Sequence, residues 1–168
     1  MNQRVESALN DQINAELYSS YLYLSMSAYC EAEGLSGFAN WMRVQAEEEL
    51  FHSTKMFDYV NERGGRVILK AIEMPQTEWK SIVEVLEDVF EHEQKVTSLI
   101  NNLVTISREE KEYATENFLQ WYVAEQVEEE DSVGQLLNEV KLVDGKGSGL
   151  FMLNREAGQR VFTPPTKE

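Results

Sequence analysis

The sequence has few of the residues that mark disulfide-linked, thiolate-liganded or loop-rich proteins. One cysteine, Cys30, among 168 residues excludes an internal disulfide and any metal site built on a Cys-x-x-Cys pair. The three prolines, Pro75, Pro164 and Pro165, all lie outside the segments with helical periodicity. Because proline interrupts helices, its absence from those segments allows long unbroken helices.

Basic charge and long hydrophobic runs are also scarce. There is no run of 18 apolar residues and no basic segment followed by an apolar one at the start of the chain, so we expect no membrane span, no secretion and a cytoplasmic location. With 15 basic against 30 acidic residues the net charge is −15, which opposes binding to nucleic acid or anionic membranes. The acidic excess is compatible with solubility alone or with attraction of cations.

The hydrophobic fraction is 42%, which is too high for a disordered chain. A chain of 168 residues is long enough to bury a substantial core. We therefore predict a single all-α domain over residues 1–168, with a four-helix bundle over about residues 4–143.

Residues 38–59 carry a stripe of side chains spaced four and three residues apart, which places them on one face of a helix. Its ends are apolar and its centre is polar: Phe38, Met42, Gln45, Glu49, His52, Met56 and Tyr59. A buried carboxylate beside a buried imidazole is costly unless something compensates its desolvation. For Glu49 and His52, three residues apart, a metal ion is the simplest compensation.

Three further stripes each place an acid in the middle of an otherwise inward face. They are Val5, Leu9, Gln12, Glu16, Ser19, Tyr23 and Met26; Ile82, Leu86, Val89, Glu93, Val96, Ile100 and Leu103; and Phe118, Tyr122, Glu125, Glu129, Ser132 and Leu136, with Gln126 beside Glu125. One such acid is commonly a salt bridge. Four acids at mid-helix, together with a histidine, indicate a shared site in the core of a bundle.

Caps and breakers predict the helix boundaries. The first helix covers about residues 4–32, and the second begins after Ser36 as N-cap and ends near the Gly64-Gly65 pair. The third begins near Thr77 or Trp79 and ends at about residue 107. Residues 107–110 read as a capping box that opens the fourth helix, which runs to about residue 143.

The remaining segments predict the topology. Short connections make helices one and two, and helices three and four, antiparallel neighbours. Residues 64–78 can span roughly 50 Å when extended, and the second helix is about 42 Å long. We therefore predict a crossover that makes helices two and three parallel. A glycine-rich break at residues 144–149, a fifth helix over about residues 148–158 and a tail over residues 159–168 complete the chain.

Four motifs, in order, resemble those of bacterial and archaeal non-haem ferritins. They are Asn-Ala-Glu-Leu-Tyr-Ser-Ser-Tyr-Leu-Tyr at 14–23, Glu-Glu-Leu-Phe-His at 48–52, Glu-His-Glu at 91–93 and Glu-Gln-Val-Glu-Glu at 125–129. One Glu-x-x-His alone is a weak signal, whereas all four at these separations are a strong one. The resemblance covers essentially the whole chain and implies a ferritin-like bundle that acts as a ferroxidase and stores ferric mineral in a hollow homo-oligomeric shell of twenty-four subunits.

The resemblance also implies a di-iron centre on specific residues. Glu16, Glu49 and His52 would hold the first iron. Glu49 would bridge to a second iron, held by Glu93 and Glu129 with Gln126 close by. Dioxygen or hydrogen peroxide would accept the electrons. A third iron site and a tyrosine that donates an electron or a hydrogen bond to the centre are implied as well. The third site would comprise Glu48, Glu125, Glu128 and Glu129, and the tyrosine would be Tyr23.

Two departures from related di-iron proteins have consequences. Bacterioferritin carries a second Glu-x-x-His motif on helix four, whereas this chain has Gln126 followed by Glu129 and no histidine. The second iron should therefore be held more weakly and pass more easily to the mineral. Leu50 stands where bacterioferritin has its haem-ligating methionine, so no haem is expected.

The apolar segment at residues 150–153 supports assembly. It is flanked by glycine, is too short to fold alone and is too apolar to leave in water. We expect it to bury against its copies in neighbouring subunits.

Each candidate residue also has a purely structural interpretation. Glu49 and His52 could form a surface hydrogen bond, Glu93 could pair with a lysine, and Tyr23 could simply pack in the core. Gln126 could support a ligand rather than bind iron. The acids of the third site could individually be solvated: Glu48, Glu125 and Glu128. We expect His92 at the surface or an interface, and Cys30 as a small buried apolar residue.

Three functions compete for such a centre. The first is ferroxidase activity with iron storage, and the second is another di-iron enzyme, such as a rubrerythrin-like peroxidase or an oxygenase. The second needs an electron-donor module or an open substrate pocket, and no rubredoxin-like Cys-x-x-Cys segment occurs. The third is a non-catalytic bundle that buffers metal or binds partners. Particle size separates them, since storage needs a very large hollow assembly.

Overall fold

The computed structural model describes residues 1–164, and within them the chain forms helices and no strand. The helices are α1 (Gln3–Ala32), α2 (Ser36–Glu62), α3 (Ile82–Glu109), α4 (Tyr113–Leu142) and α5 (Gly147–Ala157). The predicted four-helix bundle with a short fifth helix is confirmed. None of these helices is both long enough and apolar enough to cross a membrane. The last part of the predicted tail, residues 165–168, lies outside the described residues.

Contacts at one end of the bundle fix the direction of the helices. The Asn2 amide donates a hydrogen bond to Glu110 at 2.9 Å, and Arg63 donates to Glu112 at 3.0 Å. The start of α1 and the end of α2 therefore both lie beside the turn between α3 and α4. Because α2 and α3 end at the same end of the bundle, they run parallel, as the length of their connection predicts.

The connection between α2 and α3 runs along α1. Near the start of α1, the side chain of Asn10 donates to the carbonyl of Arg66 at 3.0 Å and accepts from the backbone N–H of Ile68 at 2.7 Å. Near the other end of α1, the Ser25 hydroxyl donates to the carbonyl of Gln76 at 2.6 Å. These contacts give the crossover's backbone polar partners, as a long segment without secondary structure requires.

Two apolar clusters fill the bundle, one at each end. The first end cluster is built around Leu9, Met56, Ile100 and Leu119, and the second around Met26, Met42, Leu86 and Val133. The stripes on α1, α2 and α3 contribute their apolar ends to these clusters, as their periodicity predicts. Their polar centres form a middle layer between the clusters: Glu16, Gln45, Glu49, His52 and Glu93, with Gln126 and Glu129 from α4.

The predicted inward face of α4 is partly wrong. Ser132 is exposed and Glu125 is half-buried, so neither belongs to the core. The buried positions are Thr115, Leu119, Tyr122, Gln126, Glu129, Val133, Leu137 and Val140. Tyr122 and Glu129 fit both the predicted and the observed face, which is why the spacing alone did not separate them. The observed face turns the Gln126 amide into the middle layer.

The predicted start of α3 is also wrong. α3 begins at Ile82, after Ser81, whose hydroxyl accepts from the backbone N–H of Glu84 at 3.2 Å. Trp79 instead lies buried in the crossover, where its ring meets Tyr29 at 5.3 Å between centroids and its N–H donates to Asp88 at 2.7 Å. Tertiary packing of the indole therefore sets where the helix can begin.

The capping box predicted at residues 107–110 does not form. Ser107 lies inside α3, where its hydroxyl donates to the carbonyl of Leu103 at 2.9 Å. α3 continues to Glu109, and α4 begins only after Glu112. Lys111, with φ of 58°, makes the turn between them in the left-handed region. A serine that bonds back within its own helix is not available as a cap.

The first turn of α2 is capped by a residue from α5. Ser36 was predicted to be the N-cap, but it is the first helical residue, and Leu35 before it provides no side-chain cap. Instead, the side-chain oxygen of Asn154 accepts from the N–H groups of Gly37 and Phe38 at 3.0 and 3.1 Å. A Cβ at position 37 would lie 1.5 Å from the carbonyl oxygen of Asn154, so only glycine permits this approach.

Candidate metal centre

Three helices bring their central acids together in the middle layer. Glu16 of α1, Glu49 of α2 and Glu93 of α3 are fully buried, and His52 is 3% exposed. Glu16, Glu49 and His52 each offer a ligand atom within 4.8 Å of the others. The structure thus assembles the first of the predicted ligand groups at the centre of the bundle.

The polar atoms of this group lack partners. Both carboxylate oxygens of Glu49 and one of Glu16 are buried without a hydrogen bond, and the nearest Glu49 oxygen is 3.5 Å from Nδ1 of His52. A surface hydrogen bond between Glu49 and His52 is therefore excluded. Buried unpartnered carboxylate oxygens are strongly unfavourable. A cation with a preference for oxygen and imidazole ligands fits this donor set.

Glu93 is held by hydrogen-bond donors rather than by a lysine. The Tyr23 hydroxyl donates to one of its oxygens, and the side-chain N–H of Gln126 donates to the other at 3.1 Å. The amide of Gln126 thus faces Glu93 as a donor, which favours a supporting role over direct binding of a metal. Tyr23 is fully buried and touches the carboxylate, so it is more than a packing residue.

Three groups of the middle layer have raised pKa values: Glu49, Glu93 and Tyr23. Burial, reinforced by the charges of Glu93 and Glu16, raises the pKa of Glu49 well above its usual range. Burial and the neighbouring Glu129 raise the pKa of Glu93 to about 8. Burial and Glu93 likewise raise the pKa of Tyr23. Both effects disfavour negative charge, so the layer is electrostatically suited to bind cations.

Two glutamines hold acids of the middle layer in place, a role that the sequence pattern did not predict. Gln12 donates to Glu16 at 2.8 Å, and Gln45 donates to Glu129 at 2.7 Å. Each glutamine lies on the inward stripe of its helix, about one turn before an acid: Gln12 before Glu16, and Gln45 before Glu49. The Tyr122 hydroxyl also donates to the carbonyl of His52 at 2.8 Å. Such surrounding hydrogen bonds fix the orientation of metal ligands.

The acids predicted for the third site are only partly brought together. Ligand atoms of His52, Glu125 and Glu129 lie within 4.8 Å of one another, and Glu125 is half-buried. Glu128 is exposed, so it lies at the rim of this group. Burial raises the pKa of Glu48 to about 7, and the charges of Glu129 and Glu125 add to the effect. Glu48 therefore belongs to the same electrostatic neighbourhood.

A basic residue that the sequence analysis did not identify contacts this acidic cluster. Arg160, which follows α5, donates to the Glu48 carboxylate at 2.5 Å. The two residues are 112 positions apart, and no motif connects them. Only the fold brings the arginine to the acidic cluster.

Two other expectations concern residues close to the centre. His92 is half-buried rather than at the open surface: its Nε2 lies 2.8 Å from the Ser19 hydroxyl, and its ring meets Tyr23 at 5.9 Å between centroids. Burial lowers the pKa of His92 to about 4, so the imidazole is neutral at pH 7. Cys30 is fully buried among apolar side chains, as predicted.

Comparison with known proteins places this arrangement in context. The family model of the ferritin-like domain matches residues 6–143. A probable bacterial non-heme ferritin-like protein of Haemophilus influenzae is 46% identical over 158 residues, covering 94% of this chain and 96% of its own. A bacterial non-heme ferritin of Bacteroides fragilis is 43% identical over 160 residues, covering 95% and 99%.

Solved structures agree with these relatives. An engineered closed form of the Archaeoglobus fulgidus ferritin has 52% sequence identity and a TM-score of 0.96, covering 97% of this chain and 99% of its own. An open pore ferritin from the same archaeon has 52% identity and a TM-score of 0.95, covering 96% and 98%.

Proposed function

The chain belongs to the ferritin family of iron-storage proteins, and from that premise we propose that its middle layer is a ferroxidase centre. In this proposal Fe(II) is the substrate, and it is oxidised to Fe(III) before ferric mineral is deposited inside a hollow shell. The observation that carries the proposal is the pair of buried carboxylates, Glu16 and Glu49, whose oxygens lack partners beside His52.

The ligands divide between two iron positions. Glu16, Glu49 and His52 bind the first Fe(II). Glu49 has two unpartnered oxygens and can therefore bridge to a second Fe(II), which Glu93 and Glu129 also bind. The second position lacks a histidine, so it holds its iron less tightly and releases it towards the mineral.

The electron balance of the reaction is simple. Two Fe(II) ions give one electron each to dioxygen, which takes up two protons and leaves as hydrogen peroxide. If hydrogen peroxide is the acceptor instead, two electrons and two protons reduce it to two waters. Carboxylate ligands favour Fe(III) over Fe(II), because negative charge stabilises the higher cation charge. The Fe(III) product then hydrolyses and is deposited as mineral.

The protein's own groups prepare the site. Gln12 fixes Glu16, while Gln126 and Tyr23 fix Glu93, so these two carboxylates need little reorganisation when iron binds. Tyr23 is in hydrogen-bond contact with Glu93 and is thus placed to donate a hydrogen bond or an electron close to the second iron. The apolar end clusters on both sides limit water around the site.

We propose a third iron position beside the centre, at the surface-facing side of α2 and α4. It would use the acids predicted from the resemblance: Glu48, Glu125, Glu128 and Glu129. Its support is the approach of Glu125 and Glu129 to His52 within 4.8 Å. Glu128 is exposed and would join from the rim. This position would receive iron that leaves the centre through the shared Glu129.

We further propose assembly into a shell of twenty-four subunits. The support is α5, which leaves Phe151 61% and Met152 70% exposed on a single chain. Apolar side chains exposed to this extent at adjacent positions indicate a surface that other copies cover. Light scattering should show a particle far larger than a dimer, and a stable monomer or dimer at micromolar concentration would contradict the proposal.

Substitution of the central ligands tests the proposed centre. Glu49→Ala and His52→Ala should each slow the oxidation of Fe(II) by about a hundredfold, followed by the absorbance of Fe(III) after mixing with oxygenated buffer. Glu47→Ala removes an exposed acid from the same helix and serves as the matched control. Oxidation in Glu49→Ala at the rate of the control would rule the centre out.

A double substitution tests the third position. Glu48→Ala with Glu125→Ala should leave the first two irons bound but change the number of irons oxidised per oxygen consumed. Glu47→Ala with Glu139→Ala removes two exposed acids from the same two helices and controls for charge. Equal ratios in the two double variants, with no third iron in crystals soaked anaerobically in Fe(II), would defeat the assignment.

A further inference from the structure

Arg160 is anchored to α2 at several points. Its carbonyl accepts from the side-chain N–H of Asn40 at 2.9 Å, and its guanidinium carbon lies 4.5 Å from the centre of the Trp41 ring. The guanidinium also approaches the Trp41 carbonyl at 3.5 Å and donates to Glu48 at 2.5 Å. Its side chain is only 23% exposed. A half-buried guanidinium over an indole, paired with a carboxylate, is a well-held cation.

The guanidinium occupies part of the acidic cluster. Glu48 offers two carboxylate oxygens, and Arg160 takes Oε2. A divalent cation that bound the same carboxylate would lie close to this fixed positive charge. Two cations that share one partly buried carboxylate repel each other, because protein around them screens less than bulk water does. Arg160 and a metal ion are therefore rivals for Glu48.

We propose that Arg160 is a built-in competitor for the third cation position, so that filling this position displaces the guanidinium from Glu48. The inference rests on the proposed function for the existence of that position, but it assigns a role to a residue outside the acidic motifs. While Arg160 holds Glu48, the third position is weak and stays available for iron leaving the centre. Arg160 thereby limits how long iron remains there.

The competition couples the acidic cluster to the end of the described chain. Residues 158–162, which include Arg160, run beside α2, where the Phe162 ring lies 6.3 Å from that of Phe51. A cation that takes Glu48 removes one anchor of this segment. By reciprocity, any change that loosens the segment must strengthen cation binding by the same factor.

Cation binding to the assembled apo-protein measures the competition directly. Zn²⁺, which does not undergo oxidation, replaces Fe(II) in a calorimetric titration. Arg160→Gln should raise the affinity of the third Zn²⁺ per subunit by about tenfold and leave the first two unchanged. Arg155→Gln removes an exposed arginine from α5, five residues before Arg160, and controls for net charge. Unchanged or weaker third-site affinity in Arg160→Gln, relative to this control, would overturn the proposal.

Hydrogen exchange measured by mass spectrometry gives an independent readout. In the wild type, loading the third Zn²⁺ should speed exchange in the peptide that contains residues 158–162, whereas in Arg160→Gln that peptide should exchange fast already. Unchanged exchange in the wild type on loading the third Zn²⁺ would overturn the displacement of Arg160.

The two proposals can fail separately. The first two Zn²⁺ ions should be lost in Glu49→Ala, and their persistence there would reject the ferroxidase centre. Absence of a third Zn²⁺ even in Arg160→Gln would reject the competition while leaving the first two sites intact. Both proposals are supported if the third Zn²⁺ binds more tightly to Arg160→Gln and the first two Zn²⁺ ions are lost in Glu49→Ala.

Discussion

The end clusters of the bundle bury side chains that satisfy one another, whereas the middle layer buries carboxylates that do not. Leu9 and Leu86 are fully buried among other apolar groups. Glu49 is equally buried, yet both of its oxygens lack partners. Burial therefore has opposite consequences in the two regions: it stabilises the fold at the ends and destabilises it at the centre. The end clusters supply the stability that lets the centre keep its unpartnered carboxyl groups.

The largest expected effect is on stability at an end cluster. Leu86→Ala removes a fully buried side chain and should lower the free energy of unfolding of the apo-protein by about 2–5 kcal/mol. Denaturant unfolding followed by circular dichroism measures it. Fe(II) oxidation per folded subunit should stay within about twofold of the wild type, because Leu86 lies about two helical turns from Glu93 along α3. A large loss of Fe(II) oxidation without a loss of stability would contradict the assignment of stability to the end clusters and of oxidation to the middle layer.

Metal binding should give the unpartnered carboxylate oxygens of the middle layer a partner and so stabilise the folded protein. At a free Zn²⁺ concentration of about 100 times Kd, one site stabilises the folded protein by about 2.7 kcal/mol. Calorimetric melting with and without Zn²⁺ measures the shift. Glu49→Leu should lose most of this gain, whereas Leu86→Ala should keep it. Equal gains in these two variants would show that Zn²⁺ acts elsewhere.

Without metal, removing the central carboxyl group should stabilise the protein. Glu49→Leu replaces a buried carboxylate with an apolar side chain of similar size and should raise the free energy of unfolding of the apo-protein by about 1–2 kcal/mol. The same unfolding assay applies. The sign is opposite to that for Leu86→Ala, although both positions are fully buried. A destabilised apo Glu49→Leu would mean that the layer is better satisfied than its unpartnered oxygens indicate.

The smallest expected effect on stability is at Glu112, in the turn between α3 and α4. Glu112 accepts from the backbone N–H of Asn2 at 2.6 Å and from Arg63 at 3.0 Å, and these contacts lower its pKa. A lowered pKa means that the carboxylate stabilises the fold above the unfolded value of about 4.3 and loses this contribution as the pH falls through the folded value. Glu112→Gln should therefore cost less than about 1 kcal/mol at pH 7, and the difference should shrink as the pH falls below the unfolded value. A difference that stays constant over this fall in pH would assign the effect to packing.

Periodicity predicted most of this structure because most of it is local. The stripes on α1, α2 and α3 placed Glu16, Glu49 and Glu93 on inward faces, and all are fully buried. The face of α4 was less certain because its acids continue around the helix, so Glu125 and Gln126 could each have faced inward. Only the hydrogen bond to Glu93, which α3 supplies, turns the Gln126 amide rather than Glu125 into the core.

What the sequence could not predict depends on contacts between distant residues. Trp79 delays the start of α3 because its indole packs on Tyr29 across the crossover. Ser107 looks like a cap but bonds within its own helix. Arg160 lies far along the chain from Glu48, and neither residue belongs to a pattern that includes the other. Local rules contain no information about such pairs.

The cap that Asn154 provides to α2 has a consequence for protein synthesis. Asn154 is made 117 residues after Gly37, so a ribosome that adds about 5–20 residues per second produces the cap roughly 6–23 s after the turn it completes. Until then the first N–H groups of α2 have only water as partner. The nascent bundle therefore completes its α2 terminus only once α5 has docked, and the helix whose apolar face we expect other copies to cover docks last.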